Sequence, residues 1–338
     1  MNQSYETNTV VNTVPIKESQ SRTFPQWIKL LSTFVVLALL TWQIQWQDVL
    51  NALKNASLIG LSGAIALWIP NQYLQYLRWK LIANSGATKP YSSDIKASYW
   101  LGHTLGFITP GRIGAYGRGL FLRNVNVLEA TALTLLERSY SAVTVNGFGL
   151  IALGLLPQLG WSVSWAPLSP SVSFGLTIVG GLVLAAGLVP GAILGFIGKT
   201  LGTMFQLTKV ANSLQQLNLI SFRTSFVFLG LASLSLLVSL VQFYLILRAF
   251  GVELPFIASL LAIQLNFFLK GNIPLTLGNL GVGEWTALIC LRGLGVPDTI
   301  SVAASLALFS LNVAIPALVG VRFIKRIFTI HHGWQDRV

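Results

Sequence analysis

Apolar residues run through this chain in long blocks, several of them as long as the roughly twenty residues a helix needs to cross the hydrocarbon core of a bilayer. The segments 56–77, 127–156, 172–197, 226–247 and 300–323 each read as a membrane-spanning helix, and 27–42 is a shorter apolar segment of marginal length. Residues 43–54 place Trp46, Val49, Leu50 and Leu53 at helical spacing among polar neighbours, the pattern of a helix lying along the membrane surface. Residues 199–223 repeat it with Leu201, Met204, Phe205, Ala211, Leu214 and Leu217. Residues 1–25 are polar and read as a disordered tail, and 326–338 as a basic tail, leaving 26–325 as a single transmembrane domain.

Two blocks, 95–124 and 256–294, are interrupted by Gly-rich, Pro-containing stretches and read as helical hairpins. The interruptions are Thr109-Pro-Gly-Arg-Ile-Gly-Ala-Tyr-Gly-Arg118 and Pro274-Leu-Thr-Leu-Gly-Asn-Leu-Gly-Val-Gly-Glu284. Gly111 aligns with Gly278 and Gly114 with Gly281, both at an offset of 167, and Gly86 and Pro90 recur as Gly251 and Pro255. The expected architecture is therefore an all-α integral membrane bundle of two repeats, about 56–157 and 223–323, each containing a re-entrant, broken-helix hairpin. Basic residues fix the orientation: the segments 79–94 and 199–222 and both termini are expected in the cytoplasm, and the uncharged loop 157–170 outside. On that scheme the hairpins start from opposite faces, which makes the repeats inverted.

Composition changes the picture only by exclusion. Of 338 residues, 53% are hydrophobic and 9% charged, too few charges to cover a water-soluble domain. The formal charge of +12 punctuates apolar blocks instead of forming one basic face, so no nucleic-acid partner is expected. A single cysteine, Cys290, excludes an intramolecular disulfide and a cysteine-based zinc site.

The candidate chemistry sits at the first interruption. A Gly-rich turn opening into a helix, here Pro110, Gly111, Gly114 and Gly117, is expected to leave backbone N–H groups free at a positive dipole end, and Arg112 and Arg118 add cationic forks suited to phosphate. The competing reading pairs both arginines with Glu137. Glu137 and Arg138 are adjacent on a helix and point about 100° apart, so Glu137 is expected to hold a hairpin arginine while Arg138 faces a cavity or phosphate. Glu284 starts a helix and reads as either a helix-terminal carboxylate or the partner of a hairpin arginine or cationic headgroup. Lys270 reads as a structural cation at a helix C-terminus, with His103 and Asn146 as weaker candidates. No nucleophile and base set, paired acids or metal-ligand spacing is present, so neither catalysis, metal nor cofactor is expected. His331 and His332 read as solvated.

Arg78, Pro110-Gly-Arg-Ile-Gly114, Arg118, the Glu137-Arg138 pair, and Pro274 with Gly278, Leu280-Gly-Val282 and Glu284 resemble the flippase-like transmembrane family typified by the membrane half of lysylphosphatidylglycerol synthases. The resemblance implies a multi-pass protein of a bacterial or archaeal plasma membrane that moves polar lipids or assists their synthesis. It makes Arg112, Arg118 and Arg138, with Gly111, Gly114 and Gly117, the expected lipid-binding set, supported by Glu137, Glu284, Pro110, Gly278, Gly281 and Arg78. Ala115 stands where the family usually carries Glu, Asn279 replaces a common Gly, and no soluble aminoacyl-transfer domain is read in the chain. A lipid translocase or lipid-binding transporter is the expected function; an accessory subunit of a lipid-synthesising enzyme and an intramembrane lipid transferase are the alternatives.

Overall fold

The computed structural model describes residues 56–161, 166–189, 221–273, 276 and 278–324, with single positions 47, 51, 54, 198 and 199. The tails 1–25 and 326–338, the segment 27–42, most of both expected surface helices and Pro274 lie outside the described residues. Among the described residues all regular structure is helical. The helices at 127–158, 222–249 and 298–321 are long and apolar enough to cross a membrane.

The first block forms two short helices, α1 (Leu58–Ala66) and α2 (Trp68–Ala83). Ser57 caps α1 by accepting the Gly60 N–H, and Pro70 sits in the first turn of α2, where its missing N–H costs no helical hydrogen bond. Because α2 continues to Ala83, Arg78 and Trp79 lie inside the helix and are buried. Both turn inward, and the neighbouring Lys80 is exposed. Helix α3 (Ser92–Ile108) follows, then a 3₁₀ segment (Ile113–Phe121), α4 (Val127–Gln158) and α5 (Pro170–Ala186). The second half runs α6 (Phe222–Ala249), α7 (Phe256–Asn272), α8 (Val282–Arg292) and α9 (Asp298–Phe309). A π-helical turn (Ser310–Ala314) joins α9 to α10 (Ile315–Val321).

Close approaches at small residues hold the bundle together. Gly147 and Gly154 of α4 face Gly180 and Ser173 of α5, and each spacing of seven keeps the small residues on one helix face. Large apolar side chains on the outer faces are open, Leu58 by 82% and Ile59 by 86%, a surface that lipid would cover.

Helices α3 and α7 each have 17 residues, about 25 Å, and so fall short of the bilayer core. Both stop at the Gly-rich interruptions, and there the two halves meet. The Gly111 N–H donates to the Thr276 carbonyl (2.9 Å) and the Gly278 N–H to the Thr109 carbonyl (3.3 Å). The offset of 167 therefore maps each hydrogen bond onto the other. It also maps the backbone conformations: Gly111 and Gly278 both have φ 58°, followed by Arg112 at 59° and Asn279 at 63°. The limbs after the tips differ. The second is the α-helix α8, whereas the first is a 3₁₀ segment and not the half-helix expected, because Gly114 and Gly119 press it against the Leu105 and Ala130 carbonyls and glycine is a poor helix former.

Gly278→Ala tests the tip geometry, since an alanine there takes a left-handed conformation and places its Cβ 3.3 Å from the Phe107 carbonyl oxygen. The expected cost is about 1–2 kcal/mol, read as a lower melting temperature of the detergent-solubilised protein; unchanged melting would contradict the tip conformation.

Candidate functional site

The strongest electrostatic feature is built on α4. Glu137 is buried, and its Oε1 accepts hydrogen bonds from Nε (3.1 Å) and Nη2 (2.5 Å) of Arg78 on α2. Arg78 Nη2 also donates to Ser141 Oγ at 2.8 Å. The other oxygen of Glu137 pairs with Arg118 from the 3₁₀ segment. Arg118 is itself buried, with its guanidinium carbon 4.1 Å from the centre of the Trp79 ring. Trp79 is fixed in turn by a 2.8 Å hydrogen bond to Ser98 on α3. One carboxylate thus gathers a helix of the first block, the first Gly-rich limb and α4.

Arg138 points elsewhere, as the helical angle between neighbours requires. Its Nε lies 3.6 Å from Glu137 without a hydrogen bond, and its guanidinium carbon lies 5.4 Å from the centre of the Tyr116 ring. It lines a cavity of about 410 Å³ between the two tips, together with Arg112, Lys270, Gly111 and Asn279. Around these stand Gln75, Ser141, Asn146, Asn272 and Asn312. Among the described residues no aspartate or glutamate lines this cavity.

The cavity is lined with polar groups that keep hydrogen-bonding capacity. Arg112 takes an uncommon positive φ, and its buried Nε has no hydrogen-bond partner. Lys270 makes no ion pair among the described residues, although it lies within electrostatic reach of Glu284. Amides in and behind the wall are tied together: Asn71 Nδ2 donates to Gln242 Oε1 (2.9 Å), Asn312 Nδ2 donates to the same oxygen (3.0 Å), and Gln75 Nε2 donates to Asn71 Oδ1 (3.0 Å). Asn312 belongs to the π-helical turn, a local irregularity common at functional sites.

Several sequence expectations change here. The N–H groups of the first tip are not free: Gly111, Arg112, Ile113 and Ala115 donate to carbonyls and Gly114 to the Thr109 hydroxyl, so side chains and not backbone supply the positive charge of the cavity. Arg118, Gly114 and Gly117 do not line the cavity, and Arg118 is occupied by Glu137. Glu284 meets no hairpin arginine. It accepts the Gly281 N–H (2.5 Å) and the Ser305 hydroxyl (3.1 Å), closing the N-terminus of α8. His103 packs against Tyr99, 4.9 Å between ring centres, away from the cavity. Lys270, read from sequence as structural, belongs to the cavity, as do Gln75, Asn272 and Asn312, which sequence reasoning missed. Their signal was available: carboxamides within or beside apolar blocks are costly unless they pair or face a cavity.

Glu137→Gln removes the one negative charge that Arg78 and Arg118 share. Leaving buried charges without a partner costs about 3–5 kcal/mol, so the variant should melt well below the parent protein in detergent, and an unchanged melting temperature would contradict the assignment.

Comparison with curated proteins finds no match. A family model described as the lysylphosphatidylglycerol synthase TM region matches residues 26–320. That match takes in every helix described up to α9 and nearly all of α10, both Gly-rich tips and every residue of the cavity, so the chain belongs to the family of lysylphosphatidylglycerol synthase transmembrane regions.

Proposed function

We propose that this protein is a lipid translocase, or a lipid-binding transporter, that holds an anionic headgroup in the cavity between its two Gly-rich tips. The observation that carries the reading is a cavity with three cations, Arg112, Arg138 and Lys270, and no lining carboxylate among the described residues, inside an apolar helical bundle. Charge of that kind is expensive at membrane depth and marks a pathway or a ligand. Arginine forks match phosphate oxygens in pairs, and a lipid phosphate is the anion that a bilayer supplies at high local concentration.

A second feature supports a lipid over a soluble anion. Three helices that contribute to the cavity, α4, α6 and α7, also form an apolar groove of about 440 Å³. Phe148 and Ile151 follow Val145 and Asn146 on α4, Leu236 and Leu237 precede Ser239 on α6, and Leu260, Leu261 and Gln264 precede Phe267 and Lys270 on α7. In this reading the groove takes the hydrocarbon chain of the molecule whose headgroup occupies the cavity.

The pairing of the tips supports the transport arm of the proposal. Helices α3 and α7 are the first limbs of two re-entrant hairpins, belonging to inverted repeats that enter a bacterial or archaeal plasma membrane from opposite faces. Both termini are cytoplasmic. The halves also pack α7 on α4, α10 on α3, and α6 on α1 and α2; in this reading one repeat rocks against the other around the headgroup, exposing it to each side in turn. The protein moves the lipid and does not transform it; a lipid-synthesising enzyme is the partner that would supply the cargo.

Mass spectrometry of lipids that copurify with the full chain in mild detergent tests the reading. A charge-assisted contact is worth about 1.5–3 kcal/mol, roughly tenfold to over a hundredfold in affinity, so Arg112→Ala and Arg138→Ala should each strip anionic lipid with little change in melting temperature. Arg118→Ala should do the reverse, and Arg112→Lys should restore only part of the lipid because an ammonium lacks the fork. Undiminished anionic lipid in both Arg112→Ala and Arg138→Ala would sink the proposal.

A further inference from the structure

We infer that the headgroup bears at least two negative charges on phosphoryl oxygens, as in a lipid phosphomonoester or diphosphate, and that monoanionic phosphodiester lipids and cationic aminoacyl lipids are poor ligands. This rests on reading the cavity as a lipid headgroup site and narrows the class of lipid.

Around the cavity the described carboxylates are fewer than the cations. The chain has ten acidic residues, and Glu6, Glu18, Asp48 and Asp336 lie outside the described residues near the two ends of the chain. Four of the other six are engaged elsewhere. Asp94 holds Arg123, Asp298 holds Arg292, and Glu253 faces Arg248. Glu129 accepts the Thr88 N–H. Among the described residues, that leaves Glu137 and Glu284 to answer the five cations in and behind the cavity: Arg78, Arg112, Arg118, Arg138 and Lys270.

Glu137 is spent on Arg78 and Arg118, and Glu284 on a backbone N–H and a serine hydroxyl. The cations that line the cavity are therefore in excess, and they come from three elements: Arg112 from the first tip, Arg138 from α4 and Lys270 from the last turn of α7. A phosphodiester brings one charge and two free oxygens. A phosphomonoester brings roughly −1.5 to −2 at neutral pH and three oxygens, one for each cation. A diphosphate brings more. An aminoacyl ester of a phosphodiester lipid would add an ammonium with no carboxylate in the cavity to receive it. The carboxamides of Asn146 and Asn312 suit hydroxyls or phosphoryl oxygens and do not neutralise a cation.

Equilibrium binding to the purified full chain in a neutral detergent decides the matter, with five probes: phosphatidic acid, a long-chain polyprenyl diphosphate, phosphatidylglycerol, lysyl-phosphatidylglycerol and inorganic diphosphate. Phosphatidic acid or the polyprenyl diphosphate should bind about tenfold or more tightly than phosphatidylglycerol, one additional charge-assisted contact, and lysyl-phosphatidylglycerol most weakly. The tighter of the first two identifies the hydrocarbon chain. Lys270→Gln should bring that ratio toward one, and Lys270→Arg should preserve it. Phosphatidylglycerol or its lysyl ester binding as tightly as both dianionic lipids overturns the inference while leaving the headgroup site intact. A preference that survives Lys270→Gln in a protein of parental melting temperature overturns it too. Binding of inorganic diphosphate as tight as that of the lipids would overturn the lipid assignment, and no binding by any lipid would remove the headgroup site itself.

Discussion

The carboxylate of Glu137 is the point from which the first half of the molecule is positioned. Two buried guanidinium groups from distant parts of the chain converge on it, and a third approaches without bonding. A buried ion pair of this kind adds little net stability over well-packed apolar side chains, because both charges are stripped of water. Its effect is positional: any displacement of α2 or of the 3₁₀ segment leaves an uncompensated charge in an apolar interior. The first Gly-rich tip is therefore held in a single place, with Arg118 clamped and Arg112, six residues earlier, directed into the cavity.

That placement lets the second tip dock. The glycines at 111 and 278 adopt the same left-handed conformation, which turns each N–H toward the other segment, and the threonine carbonyls at 109 and 276 receive them. Backbone that has left a helix inside a bilayer must find partners within the protein, and here each half supplies the other. At the tips the contact is two hydrogen bonds, and side chains join the halves elsewhere: Asn71 Nδ2 donates to Gln242 Oε1, Thr104 Oγ1 to the Ala317 carbonyl and Gln264 Nε2 to the Val145 carbonyl. The cavity opens beside this contact, and its cations come from both halves: Arg112 and Arg138 from the first, Lys270 from the second. An anion held there bridges the two.

The chain's apolar blocks, its glycine interruptions and their offset were legible in the sequence because they follow from period, length and backbone freedom. The assignment of Glu137 to a hairpin arginine and of Arg138 to a cavity was legible too, as one option, from the angle between adjacent helical residues. What remained hidden depends on tertiary placement. Arg78 shows no partner along the chain, because Glu137, which accepts its hydrogen bonds, lies 59 residues on. The tip N–H groups look free until Thr276, 165 residues after Gly111, arrives to accept one of them. Lys270 looks like an ordinary helix-terminal cation, because nothing in its neighbourhood along the chain shows that the other half brings Arg112 and Arg138 to the same space. The family match over residues 26–320 agrees with the resemblance carried by the motifs and says nothing of the charge class of the lipid.

The most direct measurement is a high-resolution electron cryo-microscopy map of the full chain in nanodiscs containing phosphatidic acid. The account predicts that the tips meet through the Gly111–Thr276 and Gly278–Thr109 hydrogen bonds, with phosphate density between Arg112, Arg138 and Lys270 and a hydrocarbon chain running into the groove of α4, α6 and α7. Helices continuing unbroken through those glycines, or an empty cavity with lipid bound elsewhere on the bundle, would contradict it.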